Sequence, residues 1–174
     1  MNQTRRTALK QILLATAGAA VIPACLDNKA PTITLKQINI TGAQEAMLMA
    51  LSAAIIPTTT TPGAAETGAT AFALKMVDDC YSKEEQDKFL KGLSAFEAFA
   101  KEKSGTAFDN ADAASQSAVL DAIEQHKEED ELGFFYKSMK QLTRRAYTTS
   151  KYFLTEVEHF KLVPGPVFKG CVPV

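Results

Sequence analysis

The sequence predicts an all-α protein, a single small domain of about five to six helices that follows a distinct N-terminal segment and precedes an extended C-terminal tail. Apolar residues recur at helical spacing over most of the chain, and capping-box patterns precede two of these stretches. The alternation at residues 33–40 is too broken to predict more than a short strand. With 46% hydrophobic and 22% charged residues, the 174-residue chain has the composition of one ordinary globular domain.

The first 25 residues have the pattern of an export signal. An adjacent pair, Arg5 and Arg6, precedes an apolar run at residues 12–22 and a small-residue exit. The run is short for a membrane helix, and the paired arginines favour the twin-arginine route, which carries folded proteins. An ordinary secretory signal is the alternative. Both interpretations predict that the protein leaves the cytoplasm.

Residues 22–25 also resemble the lipobox of bacterial lipoproteins, in which Cys25 would become the acylated first residue of the mature chain. The proline within this box is unusual, so cleavage, acylation and retention as an anchor all stay open. Setting Cys25 aside leaves Cys80 and Cys171. They could form a disulfide in an oxidising compartment, bridge to another subunit or stay reduced. No second run reaches bilayer length, so membrane attachment would come from a lipid on Cys25 or from a partner.

Residues 26–40 show no helical period, and we predict a tether or an extended arm there. The helical domain is predicted to occupy residues 41–174. It opens with capping-box spacing at Thr41 and Gln44, whose side chains would satisfy free backbone donors. The helix that follows to Ile56 is apolar nearly all round, which predicts a buried central helix.

Pro57 ends the first helix, and residues 58–68 form a predicted loop. A short second helix should begin at Ala69, with three residues spaced by four on its core face and two acidic residues turned away: Phe72, Met76 and Cys80 inside, Asp78 and Asp79 outside. The third helix should start at a second capping box at Ser82 and end at residues 104–105, with its apolar face formed by Phe89, Leu93, Phe96 and Ala100.

Further helices are predicted at residues 112–129, from residue 132, and at residues 151–160. The fifth has the clearest period, with apolar residues three or four positions apart at Leu132, Phe135, Met139, Leu142 and Ala146. Three prolines and two glycines exclude a helix at residues 163–173, so we expect this ending to lie extended over a surface.

The sequence contains no G-x-G-x-x-G turn, no Walker-type lysine motif and no C-x-x-C-H haem attachment. We therefore predict no catalytic, cofactor or metal site in this chain. Glu156 and His159 form half of a di-iron Glu-x-x-His set, but Ile123 stands where the matching glutamate would precede His126. A metal-dependent oxidase is thus a minor hypothesis, and solvated surface histidines are favoured.

Charge also limits the partners. Three of the 19 basic residues lie in the signal, which leaves 16 basic against 20 acidic residues and argues against nucleic acid. Arg144 and Arg145 stand together on the fifth helix. They could face a partner or a cofactor's phosphate, but a basic last turn that complements the helix dipole is the favoured interpretation.

Four local patterns occur together in a defined order. They are the twin-arginine leader, residues 53–57 followed by Thr61-Pro62-Gly63-Ala64, the run Asp79-Cys80-Tyr81-Ser82-Lys83-Glu84-Glu85-Gln86, and the ending at residues 163–165 and 170–173. In this order and spacing the chain resembles the gluconate 2-dehydrogenase subunit 3 family from about Gln44 onward.

This resemblance implies a non-catalytic small subunit of a periplasmic, flavin-dependent gluconate or sugar dehydrogenase. A large FAD-binding subunit would perform the oxidation, and a multihaem cytochrome c subunit would take the electrons to the membrane. The small subunit would hold no cofactor, carry the export signal to the twin-arginine translocase, and be needed for its partner to mature and be translocated. A free-standing periplasmic lipoprotein that binds another partner or ligand is the alternative.

The partner interface is expected in two regions, the loop at residues 58–68 and the extended ending. The residues proposed for it are Pro62, Gly63, Arg144, Arg145, Pro164, Gly165 and Gly170. The resemblance also implies a structural or interfacial role for Cys171.

Overall fold

The computed structural model describes residues 30–126 and 129–160. Over these residues the chain is helical and has no strand, which confirms the predicted all-α class. The described residues form five α-helices: α1 (Gly42–Ile55), α2 (Ala69–Cys80), α3 (Lys83–Ser104), α4 (Ala113–Glu124) and α5 (Glu131–Thr148). A 3₁₀ turn at Phe108–Asn110 precedes α4, and a π-helical turn at Phe153–Val157 follows α5.

Several predicted features lie outside the described residues. These are the leader with Arg5, Arg6 and Cys25, and the ending with Pro164, Gly165, Gly170 and Cys171.

Both predicted capping boxes form. The Thr41 hydroxyl accepts from the backbone of Gln44 at 3.2 Å, and the Gln44 side chain accepts from the backbone of Thr41 at 3.0 Å. Ser82 and Glu85 make the same reciprocal pair at 3.3 and 2.8 Å. α3 ends where predicted, at Gly105, whose φ of 74° is a left-handed conformation that glycine adopts without strain.

The helix against which most of the others pack is α5, which contacts α1, α2, α3 and the π-helical turn. All five residues of its predicted apolar seam are buried. Phe135 lies at the centre, with its ring centroid 5.0 Å from that of Phe89 and 5.5 Å from that of Phe96. α1, which we expected to be central, leaves Met49 44% exposed.

The prediction of which side of α2 is buried is wrong. Cys80 is exposed, and Phe72 and Met76 are only partly buried. The buried stripe runs instead through Thr70, Leu74 and Asp78, with Asp78 1% exposed. We assigned the face from apolar spacing alone, which cannot anticipate that a distant segment supplies hydrogen-bond donors to a carboxylate.

The end of the helical region differs in length from the prediction. α4 stops at Glu124 rather than near residue 129. After α5, the Thr148 hydroxyl donates to the Arg144 carbonyl, and the helix gives way at residues 149–150. The predicted sixth helix is short and includes the π-helical turn, in which Phe153 packs edge-on against Tyr147 at 5.7 Å.

The close crossing of α3 and α5 depends on a glycine. A Cβ atom on Gly92 would lie 2.1 Å from the carbonyl oxygen of Glu131 and 2.5 Å from the Cβ of Phe135. Both distances are far below van der Waals contact, and one of the atoms is backbone. Only glycine allows α3 and α5 to approach this closely.

We therefore expect Gly92→Ala to lower the free energy of unfolding by about 1–3 kcal/mol, although alanine is the better helix former. Urea unfolding followed by circular dichroism would measure this. Ser94→Ala, at an exposed position two residues further along α3, is the control and should change stability by about 0.5 kcal/mol or less. Equal effects of the two substitutions would contradict the close-crossing argument.

Candidate functional site

The segment that precedes the first helix is attached to the domain. Residues 30–40, here called the strap, have no regular secondary structure, yet Ile38 and Ile40 are buried. The sequence predicted a tether or an extended arm at this point. The strap bends at residues 32–33 and 36–37, and it is attached to α1 and α2 through their side chains.

One attachment is made by α1. Glu45 is 5% exposed, and its carboxylate accepts from the backbone N–H of Thr32 at 2.6 Å and from the Thr32 hydroxyl. A longer contact of 3.4 Å comes from the backbone of Ile33. The start of the strap is thus bound to the first turn of α1.

The second attachment is made by the end of α2. The Asp78 carboxylate accepts three consecutive backbone N–H groups of the strap, from Lys36 at 2.8 Å, Gln37 at 2.7 Å and Ile38 at 2.9 Å. Burial by itself would raise the pKa of Asp78. These three donors and the nearby ammonium of Lys75 outweigh burial, so the pKa lies below its ordinary value.

Two further side chains complete this end of α2. Lys75 donates to the backbone carbonyl of Thr34, which lies two positions before Lys36, the first strap residue that Asp78 binds. The buried Gln86 amide donates to the carbonyls of Val77 at 3.2 Å and Asp78 at 3.0 Å. Because the last carbonyls of a helix lack partners within it, Gln86 stabilises the turn that carries Asp78.

Sequence reasoning did not identify Glu45, Asp78 or Gln86 as important. For Asp78, the available signal was the spacing of four between Thr70, Leu74 and Asp78. It was weaker than the competing apolar stripe through Phe72 and Met76.

A small buried cluster contains direct neighbours of two parts of the predicted partner interface. Ala64, which follows Pro62 and Gly63, is fully buried and packs with Ala69 and with Ala146, the neighbour of Arg145. The loop therefore lies against the last turns of α5. We call the region that contains this loop with Pro62 and Gly63, and the last turns of α5 with the exposed Arg144 and Arg145, the loop face.

The loop has a defined shape of its own. The backbone of Ala64 donates to the Ile56 carbonyl at 2.9 Å, and the Thr58 hydroxyl donates to Glu66 at 3.0 Å. A Cβ atom on Gly63 would lie 2.6 Å from the backbone nitrogen of Thr58 and 2.8 Å from the Ile56 carbonyl oxygen. Glycine at position 63 is thus required for the loop to close on itself.

Arg144 and Arg145 are both exposed. Among the residues that the structure describes, neither guanidinium forms an ion pair. Arg145 lies in the last turn of α5, where a cation complements the helix dipole. Both guanidinium groups are also accessible to an anionic group on a partner, so the two interpretations of this pair are compatible.

The two histidines have local partners. His126 Nε2 lies 3.0 Å from an oxygen of Asp130, and His159 Nδ1 lies 3.1 Å from the Thr155 carbonyl. Within residues 30–126 and 129–160, no group of three or more histidine, cysteine or acidic side chains could hold a metal ion. None of the helices described is both long and apolar enough to cross a membrane.

Cys80 is exposed at the last residue of α2. Because Cys171 lies outside the described residues, their pairing stays a prediction.

The strap attachment should make stability depend on pH. The pKa of Asp78 is lower in the folded chain than the unfolded value of about 3.9, so its contribution is present above about pH 4 and is lost as the pH falls through the folded-state pKa. We expect Asp78→Asn to lower the free energy of unfolding near pH 7 by about 1–3 kcal/mol and to flatten the decline in stability below about pH 4.

Asp79→Asn is the matched control, because this neighbouring carboxylate is exposed. It should change stability by about 0.5 kcal/mol or less and leave the pH profile unaltered. Urea unfolding at several pH values measures both variants. If the two aspartates behave alike, Asp78 does not hold the strap.

Comparison with known proteins identifies the family. No curated protein and no solved structure was found to match the chain. A family model described as Gluconate 2-dehydrogenase subunit 3 matches residues 42–165, which include all five helices and the loop face. The match covers well over half of the sequence and begins at the first residue of α1. The chain therefore belongs to the gluconate 2-dehydrogenase subunit 3 family.

Proposed function

We propose that this chain is a non-catalytic small subunit that escorts the FAD-binding large subunit of a gluconate or sugar dehydrogenase through twin-arginine export and then stabilises it in the periplasm. Family membership implies that the chain associates with other subunits of a dehydrogenase complex. The observation that carries the export part of the proposal is the attachment of the strap to α1 and α2.

In this proposal, the strap connects the leader to a folded domain. Its backbone binds carboxylates on two different helices, and these carboxylates come into position only when α1 and α2 are packed together. A leader that continues from residue 30 is then displayed from a fixed point on a folded surface. This arrangement suits a route that carries folded cargo with its cofactor already bound.

The loop face supports the partner part of the proposal. Its backbone is held by internal hydrogen bonds and by the packing of Ala64, so little conformational freedom remains to be lost on binding. The exposed guanidinium groups beside it suit carboxylates on a partner, because arginine pairs with them in a bidentate geometry. We therefore assign this surface to the large subunit.

Cofactors in this proposal belong to the partners. The large subunit would hold FAD, and a multihaem cytochrome c subunit would accept its electrons. Membrane attachment would come from these partners or from an acylated Cys25.

Export of the flavoprotein should depend on the paired arginines. With Arg5→Lys and Arg6→Lys in this chain, we expect the co-expressed large subunit to stay in the cytoplasm, because the translocase reads the arginine pair. Fractionation with immunoblotting of both subunits measures this. Lys10→Arg, which keeps the charge outside the pair, is the control and should leave export intact. A flavoprotein that reaches the periplasm without the arginine pair would show that it needs no escort.

Charge reversal on the loop face should weaken the complex. Arg144→Glu with Arg145→Glu should reduce the amount of large subunit that copurifies by about tenfold, because carboxylates would then face like charges. Lys101→Glu with Lys103→Glu is the control, since it reverses an exposed basic pair in the last turn of α3. If both variants retain the partner equally, the large subunit binds elsewhere.

A further inference from the structure

The exposed side of α5 and the turn that follows it carry only positive charge. Residues 132–155 contain no acidic side chain and five basic ones, all of them exposed: Lys137, Lys140, Arg144, Arg145 and Lys151. The other residues from position 26 onward carry 20 acidic against 11 basic side chains. Positive charge is therefore concentrated on one part of an otherwise acidic chain.

Three of these cations lie on one side of α5. Lys137 and Arg144 are seven residues apart, and Lys140 stands between them at spacings of three and four. We call Lys137, Lys140 and Arg144 the basic stripe. At 1.5 Å per residue its length along the helix axis is about 10 Å. Its last member, Arg144, also belongs to the loop face.

One carboxylate of the chain already binds the basic stripe. Glu124, the last residue of α4, accepts from the Lys140 ammonium and, at 2.9 Å, from the Tyr136 hydroxyl. These two donors hold the pKa of Glu124 below its ordinary value. In the part of the chain that the structure describes, Lys137 and Arg144 form no ion pair. Both are therefore available to carboxylates of another protein.

The acidic groups nearest to Lys137 do not neutralise it. Glu129 and Asp130 line a small cavity together with Lys137, yet neither carboxylate forms an ion pair with its ammonium. Asp130 accepts instead from the backbone N–H of Gly133 at 2.8 Å, and it lies 3.0 Å from His126 Nε2.

The chain after the stripe favours an acidic protein over an anionic bilayer. A surface that binds a bilayer combines cations with exposed apolar side chains, and Val157 and Phe160 are exposed. Glu156 and Glu158 are also exposed and alternate with them in the sequence, so anionic headgroups would repel this region. Cations held at regular spacing on a packed helix suit carboxylates held at matching spacing on a folded partner.

We propose that the basic stripe binds an acidic segment on the surface of the FAD-binding large subunit, so that the interface extends along α5 from the loop face to Lys137. Carboxylates of that segment pair with Lys137 and with Arg144, whose guanidinium holds a carboxylate in bidentate geometry. This inference rests on the proposed function, because it takes the large subunit as the partner.

Zero-length crosslinking tests the contact directly. A water-soluble carbodiimide joins a lysine to a carboxylate that touches it, and mass spectrometry of the digested complex identifies both residues. In the complex of the full chain with the co-expressed large subunit, we expect Lys137 to be joined to an aspartate or glutamate of the large subunit. Lys91, an exposed lysine on α3, is the control and should stay unjoined. If Lys137 is not joined to the large subunit, the proposal is wrong.

Charge reversal gives a second measurement on the purified complex. Lys137→Glu should raise the dissociation constant for the large subunit about fivefold, because a carboxylate then faces carboxylates. Lys91→Glu should change it by about twofold or less. Circular dichroism should show the same helical spectrum for both variants, since both positions are exposed. Equal dissociation constants for the two variants would overturn the proposal.

The outcomes separate this inference from the proposed function and from a lipid partner. If the unaltered chain does not bind the large subunit, the proposed function is wrong and the inference falls with it. If the complex forms and Lys137→Glu binds as tightly as its parent, only the inference is wrong. If that variant loses binding to vesicles that contain phosphatidylglycerol but keeps the large subunit, the stripe binds a bilayer and the proposal is wrong.

Discussion

The structure depends on the pairing of two buried carboxylates with the backbone of the strap. A buried charge is stable only when it is hydrogen-bonded, and backbone N–H groups outside helices and sheets also need partners. Asp78 and Glu45 meet both requirements at once, because they accept from strap residues that have no regular secondary structure. The positions of α1 and α2 are thereby tied to the segment that precedes them.

Small residues allow close packing elsewhere in the domain. Gly92 lets α3 approach α5, and the contact of Ala64 with Ala69 and Ala146 seats the loop on the last turns of α5. The loop face therefore rests on the same helix that most of the core packs against. A partner bound there would contact a surface supported by the core.

Local signals in the sequence were sufficient for the helices. Capping boxes at Thr41 and Ser82 and the period of α5 involve residues a few positions apart, so they could be predicted without a structure. The buried face of α2 could not be predicted in this way, because the burial of Asp78 depends on backbone N–H donors about 40 positions away in the chain. Family resemblance suggested Pro62 and Gly63 for the interface, but only the structure shows that the next residue, Ala64, is buried in a cluster with Ala146 of α5.

The separation between the strap and Asp78 also has a kinetic consequence. Lys36 and Asp78 are 42 positions apart, whereas the helices form through contacts only a few residues long. Contacts between distant positions require a long loop to close and form late in folding. Attachment of the strap therefore follows the formation of α1 and α2, because Glu45 and Asp78 belong to these two helices.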